Sequence, residues 1–381
     1  MRRLTFNRKL PLVKESQTLA LSRQANTLAS QGVDVINLTA GELDFKPPRA
    51  AQRAVVRSLN NNKYTPVAGE YDLRVLLARA ESKNRPVQFS PEQVVVTAGA
   101  KQALAVCFQT ILNNGDEVII PIPSWASYES QVLLAGGKPV FVPLKKGTFD
   151  LDVAAIRKKL NKRTRAIVFN SPHNPTGAIF SATALKALAK AVRGKDIWII
   201  TDDIYRALAF ARSIPHILRY IQEQVIVVNG FSKSHALTGW RIGYIAAPLP
   251  CALAIVAIMS HTSGNTSALS QAAGHQAVQS STPVSYMRAL ARRKSIVAAL
   301  LMQDQRLSFQ EPRGGFYFFI DLSAITRDTA SLCATLLHER GLALVPGEAF
   351  HAPGYVRLSY AASDHDVREG VWRFLKYMQT L

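Results

Sequence analysis

One lysine stands in a setting suited to nucleophilic chemistry. In Gly230-Phe-Ser-Lys-Ser-His-Ala-Leu-Thr-Gly-Trp-Arg-Ile-Gly243, Lys233 follows a strand-like run, has small neighbours and precedes Arg241 by eight positions. An amine attacks only when deprotonated, and desolvation beside a cation favours that state. Taken alone, a lysine in a loop is an ordinary surface charge. Gly99-Ala100-Lys101 opens a helical pattern directly after a strand. Free N–H groups and the helix dipole there favour an anion, although Gly-Ala after a strand is a weak signal by itself. Arg357, in Val356-Arg-Leu-Ser-Tyr360, carries a planar fork that matches a carboxylate, or else it is a surface arginine on an edge strand. Taken singly, Asp202 in Thr201-Asp-Asp-Ile-Tyr205 is an N-cap or turn aspartate, a role that suits Asp203 better. Asn174 in Asn170-Ser-Pro-His-Asn-Pro-Thr-Gly177 is a turn former, and Trp125 in Pro123-Ser-Trp-Ala-Ser-Tyr128 a core residue.

Residues so far apart meet only if the elements between them form one scaffold. Apolar runs of strand length occur at 93–97, 117–121, 138–143, 166–170, 197–201, 225–229 and 242–246, mostly with helical patterns between them, as at 102–112. Such alternation predicts an α/β fold with a mainly parallel sheet covered on both faces. Ligands on these sheets sit at the carboxyl ends of the strands. After about residue 285 the pattern changes to a long helix, a strand-like run at 315–321, a helix at 329–340 and a last helix. That last helix has Val367, Val371, Phe374, Leu375 and Met378 on one face and Ser363 as N-cap. We read a large domain over 46–284 and a smaller α+β domain over 285–381. The first 45 residues show no strand–helix alternation and are assigned to the smaller domain.

Composition narrows the function classes. The 381 residues are 48% hydrophobic and 19% charged, a globular balance suited to two domains. Cys107, Cys251 and Cys333 are too dispersed for a metal box or disulfide framework, and the histidines form no paired motif, so no metal is expected. The first residues lack the apolar core of a signal peptide, and the longest apolar run, 251–259, falls far short of the roughly 20 residues that span a bilayer. A cytoplasmic protein is expected. The net charge of +20 raises nucleic-acid binding as a possibility. The basic residues are scattered, however: Arg2, Arg3, Arg8 and Lys9, then 157–165, then 292–294, with no aromatics interleaved in the middle cluster. They predict a solvated surface that mildly favours anionic substrates.

Taken together, the Lys233 stretch resembles the pyridoxal-phosphate attachment motif of class I and II aminotransferases, and the likeness extends along nearly the whole chain. It includes Asn170–Gly177, Thr201–Tyr205, Gly41-Glu-Leu-Asp-Phe45, Lys63-Tyr64 and Val356–Tyr360, and is greatest toward the bacterial aspartate aminotransferase branch. The resemblance implies fold type I, with a pyridoxal 5′-phosphate cofactor in the large domain joined to Lys233 as a Schiff base. In its terms Asp202 pairs with the pyridine nitrogen, Tyr205 and Asn174 contact the phenolic oxygen, and Trp125 lies on the ring. Gly99, Ala100, Lys101, Ser232 and Arg241 hold the phosphate. The family often has a serine where this chain has Gly230, so one phosphate contact is in doubt. Arg357 clamps the substrate α-carboxylate, which the Gly41 backbone also approaches. Tyr64 reaches the phosphate of the neighbouring subunit, implying a homodimer with shared sites.

The implied reaction is ping-pong transfer of an amino group between an L-amino acid and a 2-oxo acid. Lys101 and Thr18 match positions linked to aspartate side-chain recognition. Lys14 and Thr39 match, more loosely, positions linked to prephenate. Aspartate and 2-oxoglutarate are the expected pair, with aromatic amino acids or prephenate next. A fold type I C–S lyase is a further alternative, since the same lysine and ring support it. A transcription regulator with an aminotransferase-like domain needs a DNA-binding module before residue 40, where the chain is too short.

Overall fold

The apolar runs of the sequence assemble into one seven-stranded sheet. A computed structural model describes residues 13, 15–83 and 85–381. Lys14 and the basic residues Arg2, Arg3, Arg8 and Lys9 lie outside the described residues. From edge to edge the strands are Val94–Thr97, Gly243–Ala246, Val225–Gly230, Trp198–Asp202, Thr164–Asn170, Glu117–Ile122 and Lys138–Pro143. Gly243–Ala246 runs antiparallel to both neighbours, and the other pairings are parallel.

Side chains alternate across a strand, so a continuous apolar run supplies both faces. Ile119, Ile167, Ile199, Val225 and Val227 enter one core, while Val118, Val168, Ile200, Ile226 and Val228 enter the other. Each such side chain, fully buried, contributes about 1.5–3 kcal/mol. Helix Ala100–Ile111 covers part of the second face through Ala103, Leu104, Cys107, Phe108 and Ile111, a helical spacing of apolar positions. It begins two residues earlier than its apolar pattern indicates, because Gly99 takes φ +81 and turns the chain straight from strand into helix.

A third core has its own antiparallel sheet, built on Tyr317–Asp321 and Tyr355–Ser359. Helices Val284–Leu301, Thr329–Arg340 and Asp364–Met378 pack on it. The Ser363 hydroxyl caps the last of these by accepting the Asp366 N–H at 3.1 Å. Ile36–Asn37 pairs in parallel with Leu342–Ala343, which ties the early chain to these late elements. Ile204, Tyr205 and Leu208 also belong to this core, so the chain leaving the central strand Trp198–Asp202 passes directly into it.

The structure departs from the sequence reading in two places. A helix, Gln17–Ser30, precedes the strand at 36–37. Only Ala25 of that helix is buried, so it lacks the apolar stripe that would have revealed it. On either side of strand Val225–Gly230, the connections from Trp198–Asp202 and to Gly243–Ala246 are made by single 3₁₀ turns rather than helices. Among the described residues no helix is long and apolar enough to cross a membrane.

Candidate active site

The carboxyl ends of Thr164–Asn170 and Trp198–Asp202 face the amino end of Ala100–Ile111 across a cavity of about 330 Å³. The register places Asn170 directly beside Asp202, so both reach this edge together. The turn after Val225–Gly230 supplies Ser232 and Lys233, and the third core supplies Tyr317 and Arg357. The early chain closes the remaining side with Thr18, Thr39 and Gly41.

Lys233 is half-buried and its ammonium donates to the Gly41 carbonyl. Burial pushes its amine from an ordinary 10.5 down to about 8; the Glu42 carboxylate opposes that shift, and Arg241 and Arg357 reinforce it. A sizeable fraction is therefore neutral near physiological pH, as a nucleophile or general base requires.

Asp202 is buried at 3% exposure. The Tyr128 hydroxyl donates to its Oδ2 at 2.9 Å and the Ile204 N–H to its Oδ1 at 3.2 Å. Burial raises its carboxyl to about 6 even though both donors pull the other way. A cationic N–H beside it would compensate this buried charge. Tyr205 is buried with its hydroxyl 3.0 Å from that of Tyr317, and burial holds its phenol well above the usual range. Trp125 is half-buried, edge-on to Tyr128 at 5.4 Å between centroids, and presents a flat aromatic surface to the cavity.

An anion would find its donors at the opposite end. No side chain caps Ala100–Ile111, so the first-turn N–H groups remain for a ligand. Ser232 and Arg241 line the same region. Arg241 adopts a left-handed φ of +52 and donates to the carbonyls of Thr238 at 2.9 Å and Ala98 at 3.2 Å. Gly99 does not itself line the cavity. A Cβ there would meet Arg241 Nη2 at 2.6 Å, so glycine lets the guanidinium lie against the helix start. At Gly230 a Cβ would meet the Ile242 carbonyl at 2.9 Å, so the backbone packing explains why this chain has no side chain at that position.

Arg357 is almost completely buried, with Tyr317 and Phe350 rings 4.2 and 5.0 Å from its guanidinium carbon. It donates to Asn174 Oδ1 at 3.1 Å and to the Thr39 carbonyl at 2.8 Å, while its Nε has no partner among the described residues. A buried guanidinium facing only neutral acceptors favours a carboxylate ligand. Lys101 holds its ammonium 5.3 Å over the Trp125 ring, and desolvation followed by the charge of Arg241 lowers its amine.

The cavity thus brings together Lys233, Asp202, Tyr205, Asn174, Trp125, Ser232, Arg241, Ala100, Lys101, Gly41 and Arg357, as well as Thr18 and Thr39. The Thr39 hydroxyl is engaged by Asn37 Oδ1 at 2.6 Å. Tyr64 is not part of it: the side chain is 97% exposed, away from the cavity of its own chain. Sequence reasoning missed Tyr128, Tyr317, Glu42 and Asn170, all of which line the cavity. Asn170, Glu42 and Tyr128 stood inside motifs already singled out, and their polar side chains beside the chosen residues were the available signal.

The family model for aminotransferases of class I and II matches residues 33–374. The aspartate aminotransferase of Bacillus subtilis is 36% identical, with 98% of each chain covered. A probable aspartate/prephenate aminotransferase of Aquifex aeolicus is 37% identical, with 97% of each covered. The aspartate aminotransferase of Thermus thermophilus, solved with maleate, superposes with a TM-score of 0.93 at 36% identity, covering 98% of this chain and all of that one.

Proposed function

The chain belongs to the class I and II aminotransferases, pyridoxal-phosphate-dependent transaminases of fold type I, and from that premise we propose that it moves the amino group of aspartate to 2-oxoglutarate. The observation that carries the substrate reading is the pairing of two cations across one cavity: buried Arg357 with its free Nε, and Lys101 above Trp125. One suits the α-carboxylate common to all amino acids, the other a side-chain carboxylate. The relatives' names and the maleate in the Thermus structure, a dicarboxylate, agree with this choice.

The residues present fit the cofactor. A buried carboxylate lacking a cationic partner, an uncapped helix start beside Ser232 and Arg241, and a lysine between them match its ring nitrogen, phosphate and aldehyde. When bound, pyridoxal phosphate supplies an electron-withdrawing ring that accommodates the electrons left as the substrate Cα proton departs. Asp202 holds a proton on the ring nitrogen, and Tyr128 steadies Asp202. Tyr205 and the amide N–H of Asn174 donate toward the phenolic oxygen. Trp125 restrains the ring plane. Ser232, Arg241 and the N–H groups of Ala100 and Lys101 would hold the phosphate. Arg357 and the Gly41 backbone would orient the substrate carboxylate, and the Lys233 amine would take up and return the proton at the substrate Cα.

We further read a large cofactor-binding domain over 46–284 and a small domain over 1–45 and 285–381. The exposed Tyr64 serves the phosphate of a neighbouring subunit, which makes the working unit a homodimer. All three cysteines are buried free thiols, which suits the cytoplasm.

The substrate reading is tested by a half-reaction panel that follows the cofactor absorbance as each amino acid is added. Aspartate and glutamate are expected to react fastest and to release their keto acids. A much faster reaction with tyrosine would overturn the choice of aspartate, and release of ammonia and pyruvate from a sulfur amino acid would mark a lyase. Arg357→Lys keeps the charge but loses the fork, so kcat/KM for aspartate should fall about a hundredfold, mostly through KM. A change of less than about threefold in steady-state kinetics would remove Arg357 from substrate binding.

A further inference from the structure

A second cavity lies on the reverse side of the strand end that carries Asp202. Alternation sends Asp202 into the active-site cavity and Asp203 to the opposite side, where Arg85 and His216 meet it. Both of these line a groove of about 1200 Å³ that also borders Arg206, Asn229 and Tyr244. The groove exceeds the usual size of a small-substrate pocket and has room for a nucleotide-sized ligand.

Its charges do not balance. The two buried carboxylates are fully used within the protein. Glu81 pairs with Arg85 and accepts from Asn229 at 3.0 Å and Tyr244 at 2.6 Å. Asp203 takes Arg85 at 2.7 Å, His216 at 3.0 Å and the Thr201 hydroxyl at 2.9 Å. His216 and Arg85 outweigh burial and hold its carboxyl well below the usual range. Four further cations line the groove: Lys83, Arg212 and Arg219 form no ion pair among the described residues, and Arg206 feels the charges of Asp203 and Glu81 without pairing directly with either. The half-buried Arg206 guanidinium donates only to the carbonyls of Pro215 at 3.3 Å and Ile214 at 3.1 Å. On the groove wall, Thr282 Oγ1 is buried and also lacks a partner among the described residues. Like charges gathered in a concave, partly desolvated site repel one another, and they focus a field that draws in a multiply charged anion.

We propose that this groove is a second binding site, separate from the transamination cavity, for a polyphosphate group carried by a nucleoside or by a free chain. Several uncompensated cations call for a ligand with several negative charges, and tetrahedral phosphates take guanidinium and hydroxyl donors together.

The test is calorimetric titration of the pyridoxal-phosphate-loaded enzyme, whose own phosphate site is filled, with tripolyphosphate and separately with ATP. One equivalent per chain is expected, with affinity falling as salt is raised. Tighter binding of ATP identifies a nucleotide as the source, and equal binding a free polyphosphate chain. Arg212→Glu with Arg219→Glu should weaken binding about tenfold or more. Lys158→Glu with Lys159→Glu, reversing charge on a different exposed surface, should leave it unchanged. Arg212 and Arg219 are exposed and outside the active-site cavity, so transaminase activity should persist and report an intact fold. Lys83→Glu gives an independent exposed position if the double variant fails to fold. Absence of binding, an equal loss in both double variants, or a loss in neither would overturn the proposal.

Discussion

Lys233→Ala is expected to slow transamination about 10⁴-fold or more while leaving the protein folded. In the proposed function its amine does two things that no neighbour can take over: it attaches the cofactor and it moves the substrate proton. The surrounding cavity offers Tyr205, whose phenol burial keeps protonated, and Lys101, which stacks over Trp125 near the phosphate end; neither replaces an amine lowered to about 8 beside Gly41. The fold should tolerate the change, because the lysine contributes one bond to a carbonyl and otherwise suffers from its burial. Single-turnover kinetics with aspartate provide the measurement. A rate within tenfold of the parent would show that the proton is carried elsewhere.

The second large effect belongs to Asp202→Asn. Asparagine keeps the shape, and its one amide oxygen can still accept the Ile204 N–H, but it loses the acceptor that the Tyr128 hydroxyl uses and the negative charge that, in the proposed function, stabilises a proton on the ring nitrogen. The loss falls on the charge-separated transition state more than on binding, so kcat should drop about 10³-fold with KM little changed. The environment heightens the effect: with burial outweighing both hydrogen bonds and holding the carboxyl at about 6, the charged form is worth most when its cation is in place. Steady-state kinetics with saturating cofactor check this. A fall confined to KM would mean that Asp202 only holds the cofactor in place.

The elements of the central sheet were legible because both faces are buried and the strands read as unbroken apolar runs, such as Val94-Val-Val96. Gln17–Ser30 was not, since it lies on the surface with one buried residue and borders the cavity through polar Thr18 and Ser22. Lys233 and Arg241 were readable from one short stretch. Tyr317 was not, because what makes it part of the site is a partner 112 positions away, Tyr205. Sequence spacing carries no signal at that range. Glycine gave the reverse case: Gly99 was noted for its place before a helix, and the structure adds that its missing side chain makes room for Arg241.

Every other proposed role in the cavity depends on attachment of the cofactor at Lys233. Borohydride reduction of the loaded enzyme, followed by peptide mass mapping, locates that bond. The predicted result is one reduced phosphopyridoxyl group per chain on the peptide containing Lys233, lost when aspartate is added before the reductant. A modified Lys101 or another lysine, with Lys233 unmodified, would contradict it.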